Sequence, residues 1–103
     1  MDTDDLTPMA YSTLSLAYDA CEPMRAEIGM AARDYRTEDE YLRGIAKFLK
    51  EILEDPREYL ESWNMEDEVD VKAFTAAVEG LLAHIGLTLS TPRAKRGKPP
   101  FET

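Results

Sequence analysis

His84 is the only histidine and Cys21 the only cysteine in the 103 residues, so a nucleophile–base pair could be built only from those two. Attack by a thiolate needs an imidazole within hydrogen-bond reach and an exposed, activated sulfur. The spacing argues against both. Cys21 falls on the apolar stripe of Tyr11, Leu14 and Tyr18, where inert, buried cysteines sit. His84 lies beside the apolar face of the last helical segment, where an imidazole usually caps carbonyls or packs at the core edge.

Carboxylates are abundant but do not fall into a metal-ligand pattern. Glu79 and His84 are five apart, so the Glu-x-x-His pair of a dimetal bundle is missing. Glu66-Asp67-Glu68 with Asp70 lacks the alternating oxygen ligands, central Gly and closing Glu of a calcium loop. There is no Cys-x-x-Cys, no Gly-rich phosphate loop and no Ser-His-Asp set. The expectation is a non-catalytic chain with no catalytic, cofactor or metal residues.

Two constellations remain, and both point to binding. Tyr59, Leu60 and Trp63 share a short helical segment too small to be stable alone, so it docks onto its own core or onto a partner. Arg93, Lys95, Arg96 and Lys98 put four positive charges in six residues, a candidate contact for an anion or an acidic partner. The basic run stands out because residues 1–92 carry 20 Asp/Glu against 8 Lys/Arg, a balance of −12, within a net −9 overall. An acidic body repels polyanions, so nucleic acid is not an expected partner except through the tail.

These residues must be positioned by helices. Thr7-Pro8 is a helix start, followed by apolar spacing to about residue 21. Pro23 either kinks that helix or splits it from a second, about 23–35. Thr37-Glu38-Asp39-Glu40 reads as a capping box opening a helix over 38–54, with Tyr41, Leu42, Ile45, Phe48, Leu49, Ile52 and Leu53 on one stripe. Asp55-Pro56 starts a short helix to about 63. A last helix spans about 71–85, with Gly86-Leu87 as its stop. The fold class is therefore all-α: one small domain of four to five short helices over residues 1–92, in bundle or orthogonal packing. Residues 93–103 read as a flexible, Pro-rich basic tail.

The lone Cys21 and the acidic Met1-Asp2-Thr3-Asp4-Asp5 start favour a reducing cytosol, and uninterrupted apolar runs are too short to suggest a membrane partner. The leading functional expectation is a small cytosolic protein-binding module, an adaptor or regulator, with homodimerisation as one option. The alternatives are an acidic antagonist that mimics nucleic acid towards a basic partner, and a small-ligand or enzyme site near His84 and the tyrosines.

Overall fold

The computed structural model of the chain describes residues 1–97, and over these the fold is all-helical. Five α-helices follow in order: α1 Pro8–Ala20, α2 Glu22–Ala31, α3 Glu38–Glu54, α4 Pro56–Ser62 and α5 Val71–Ser90. Among the described residues there is no strand. Short 3-10 turns occupy Thr3–Asp5, Ala32–Asp34 and Arg93–Lys95.

The starts of the helices are written locally. Thr7 Oγ1 accepts from Ala10 N, Thr37 Oγ1 from Glu40 N, Asp55 Oδ1 from Glu58 N and Asp70 Oδ2 from Ala73 N, at 2.9–3.4 Å. Each bond satisfies one of the donors a helix N-terminus leaves free. Pro8 and Pro56 take the first helical position, where a missing N–H costs nothing.

Pro23 splits the first helical run rather than kinking it. Its ring cannot follow Asp19 in one helix, so the chain breaks at Cys21, which is fully extended (φ −165, ψ 116). One extended residue turns α2 back on α1 as a helical hairpin. The pairing is antiparallel: Gly29, eight residues after Cys21, faces Leu14, seven residues before it. The second helix ends earlier than residue 35, because the chain tightens into the 3-10 turn at Ala32–Asp34 and Tyr35 is extended. Tyr35 then lies over α3 at Gly44, where any Cβ would overlap its ring. Here glycine is required by close approach.

Helix α3 buries Tyr41, Leu42, Ile45, Leu49 and Ile52, as its stripe predicts. The Tyr41 hydroxyl donates to Ile28 O at 2.6 Å and ties α3 to α2. Burial raises its pKa well above the ordinary tyrosine value, with the nearby Tyr35 adding a smaller push. Just past the end of α4, Asn64 has a positive φ of 56°, the left-handed conformation that Asn tolerates better than most residues. Met65 N then closes the turn on Leu60 O.

Helix α5 departs from the sequence expectation. It does not stop at Gly86 but continues to Ser90. Gly86 has no positive φ, and Leu87, expected to pack back on the last turn, is 51% exposed. In the extra turn three hydroxyls donate to carbonyls four residues back: Thr88 to His84, Ser90 to Gly86 and Thr91 to Leu87. Pro92 ends the helix instead. At 20 residues and mean hydropathy 1.3, α5 is long and apolar enough by composition to cross a membrane. Its Phe74, Val78, Leu81 and Ile85 face is buried in the core, where α5 packs on α1, α3 and α4.

The expectation of a flexible tail from Arg93 is corrected over residues 93–97. Arg93–Lys95 is a 3-10 turn, Arg96 is 2% exposed, and Met9 N donates to Arg96 O at 3.0 Å. The strap docks because Arg96 meets a carboxylate that the core has already buried. The rest of the expected tail, residues 98–103, lies outside the described residues.

Candidate functional site

The chain's strongest polar cluster joins three helix ends. Glu38, at the first position of α3, has a side chain only 1% exposed. Its Oε1 accepts from Thr7 N at 2.6 Å and its Oε2 from Thr7 Oγ1 at 3.0 Å. The Arg96 guanidinium donates to Glu38 Oε2 at 2.8 Å, to Asp39 Oδ1 at 2.6 Å and to Thr91 O at 2.8 Å. Desolvation works against the Arg96 charge. The hydrogen bonds and attraction of Asp39 and Glu38 outweigh it and hold the guanidinium above its ordinary pKa. One peptide further on, His84 Nε2 lies 2.8 Å from Met9 O. A carbonyl only accepts, so Nε2 carries the proton in that contact.

This clasp is structural. A buried charge is tolerable when paired and hydrogen-bonded, and Glu38 is both. His84 is tied to a backbone carbonyl, as the residue-level reading expects, although the carbonyl belongs to α1 rather than to its own helix. His84 and Cys21 are held apart. Met9 and Cys21 mark opposite ends of α1, twelve residues or about 18 Å along a helix. Cys21 is 3% exposed, its Sγ lies 3.7 Å from Met65 Sδ, and burial pushes its thiol pKa up. Such a thiol is a poor nucleophile.

The four basic residues therefore separate. Arg96 is consumed by the clasp, and its expectation as a free anion contact is corrected: its donors face Glu38, Asp39 and Thr91. Arg93 and Lys95 are exposed. Lys98 lies outside the described residues. The aromatic cluster separates too. Leu60 is fully buried. Tyr59 stacks on Phe74 (5.9 Å, 5° between planes) and meets Phe48 edge-on. Burial raises the Tyr59 pKa, and the neighbouring Glu27 charge adds to it. Only Trp63, at 42%, presents substantial surface. Two of the three residues expected at a partner surface thus anchor α4 to its own core.

The surface that sequence reading missed lies on the α1–α2 hairpin. A groove of about 600 Å³ runs between the two helices, and its lining includes Leu14, Arg25, Ala26, Gly29, Met30 and Arg33. Arg25, Gly29 and Arg33 follow at intervals of four, so they share one face. Met30 is 66% exposed. Tyr11 (41%) and Tyr18 (51%), three before and four after Leu14 on α1, are exposed as well. The spacing of Tyr11, Leu14 and Tyr18 was visible, but it reads equally as core. Only the turn at Cys21 decides which of the three is buried.

Comparison with known proteins finds no matching family model, no matching curated protein and no matching solved structure.

Proposed function

We propose that this protein is a small helical protein-binding module that works through the exposed face of its α1–α2 hairpin. The observation that carries this reading is the placement of large apolar side chains. Among the described residues five stand well exposed, and Tyr11, Tyr18 and Met30 are on this one hairpin. Clustered exposed aromatic and Met side chains mark interaction surfaces, whereas scattered ones do not. The hairpin is also held rigidly: Tyr41 fixes α2 through Ile28 O, and Glu38 fixes the start of α1 through Thr7. A preformed surface loses less entropy on binding.

The test is a comparison of wild type with a Tyr11→Ser/Tyr18→Ser/Met30→Ser variant. Both are used for affinity capture from native lysate, and both are followed by light scattering over a wide concentration range. The reading expects captured partners, or self-association, to be lost in the variant while the helical CD is unchanged. Equal behaviour of the two chains would contradict it.

A further inference from the structure

The α1–α2 groove reverses the charge of the molecule that contains it. The chain carries a net −9, yet the groove is lined by Arg25 and Arg33 with Asp2 as its one acid. Asp2 is already engaged: its Oδ1 accepts from Asp4 N at 3.2 Å and lies 3.4 Å from the Thr3 hydroxyl. Among the described residues, neither Arg25 nor Arg33 has a carboxylate within ion-pair distance. The arginines that do are Arg57, on Glu61, and Arg96, on Glu38 and Asp39.

The spacing of the two free guanidinium groups is informative. Eight residues along a helical segment rise about 12 Å. Between them the lining is apolar, with Leu14, Ala26 and Met30, and it includes Gly29, which has no side chain. A Cβ there would be in ordinary contact with Leu14 Cδ2, at 3.9 Å. The lining thus sets a cation, an apolar gap and a second cation in order along α2 and the turn that follows it.

We propose that this groove binds an extended acidic peptide segment carrying carboxylates at positions i and i+4 and an apolar side chain at i+2. In an extended chain those three side chains point to one face and span about 13 Å, which matches the arginine spacing. Guanidinium groups favour carboxylates through charge-assisted, bidentate hydrogen bonds. Met1 to Thr3 also line the groove. Nucleic acid is disfavoured because the acidic surface around the groove repels a long polyanion. The proposal rests on the binding-module reading and specifies its partner chemistry.

The test uses the full chain and a blocked, dye-labelled peptide, Ser-Glu-Thr-Leu-Thr-Glu-Ser, followed by fluorescence anisotropy at low and high salt. Three comparisons are read: the same peptide with Gln for Glu, the Arg25→Glu/Arg33→Glu variant, and the Gly29→Leu variant. The expected result is saturable binding that weakens at high salt. It falls at least tenfold for the Gln peptide and for the double reversal, and at least fivefold for Gly29→Leu, with unchanged CD in both variants. Equal binding of the Gln peptide, indifference to the double reversal, or no binding at about 1 mM overturns the proposal. So does tighter binding of a helical peptide with the same two charges seven residues apart. If lysate partners are still captured by the double-reversal variant, the groove assignment fails while the module reading stands. If the chain neither captures a partner nor self-associates, the module reading itself fails.

Discussion

Replacing Arg96 by Met removes one charge from the clasp and keeps most of the side-chain volume. Glu38 would then be left 1% exposed, still accepting from Thr7 but without its cation. Breaking a buried pair by removing one partner typically costs about 3–5 kcal/mol, because an uncompensated charge remains inside. The two bonds from Thr7 to Glu38 persist, so the lower end, about 3 kcal/mol, applies. For a domain whose whole stability is about 5–15 kcal/mol, that is a large fraction. At about 4–8 °C per kcal/mol for a domain of this size, Tm should fall by roughly 12–24 °C. The exposed Arg57–Glu61 pair (68% and 53% exposed) provides the internal control, since Arg57→Ala should cost no more than about 0.5 kcal/mol. Urea unfolding followed by far-UV CD gives both values on one scale. The double variant Arg96→Met/Glu38→Gln should recover part of the loss, because the buried charge is gone. Deleting residues 93–103 should destabilise at least as much as Arg96→Met. If Arg96→Met and Arg57→Ala cost the same, the strap is not docked as described and the reasoning is wrong.

The glycines separate packing from propensity. Gly86→Ala places a methyl in open space within α5 and should stabilise by about 0.5–1 kcal/mol; a destabilisation would mean that α5 stops there after all. Gly44→Ala drives a methyl into the Tyr35 ring and should cost about 1–3 kcal/mol by thermal melting, despite the better helix former. Asn64→Ala should cost about 1 kcal/mol in the same assay, because Ala tolerates the left-handed conformation poorly, and Asn64→Gly should be close to neutral. The pH dependence follows from Tyr41 and Tyr59, whose folded pKa values are raised above the ordinary 10 by burial. An acid whose folded pKa is raised favours folding only while neutral. Stability should therefore be unaffected by these groups below about pH 10 and be lost as pH rises above it. Two of the five tyrosines should show tyrosinate absorbance only together with loss of helical CD, and early ionisation of all five would contradict their burial.

The helix starts were readable because Thr7, Thr37, Asp55 and Asp70 act on backbone donors within three residues. The α3 stripe was readable because its period is local and strong. Other features depend on distant partners. Glu38 beside Thr37 looks like ordinary capping chemistry, and nothing nearby announces that Arg96, 58 positions away, will cover it. The faint signal was the charge split itself, a short basic run at the end of an acidic body. Gly86-Leu87 carries the local signature of a helix stop. The chain overrides it because Thr88 finds a buried place beside His84, and Pro92 supplies a harder stop six residues later. At the candidate site, Arg25, Gly29 and Arg33 are legible as one helix face. Their groove exists only once Pro23 has turned α2 back against Leu14.

The central claim is that the α1–α2 hairpin is the binding face. It is tested most directly by residue-resolved NMR of the full chain during titration with the Glu-Thr-Leu-Thr-Glu peptide. The account predicts amide shift changes concentrated at Leu14, Arg25, Ala26, Gly29, Met30 and Arg33. Changes centred instead on Tyr59–Trp63 or on Arg93–Lys95 would contradict it.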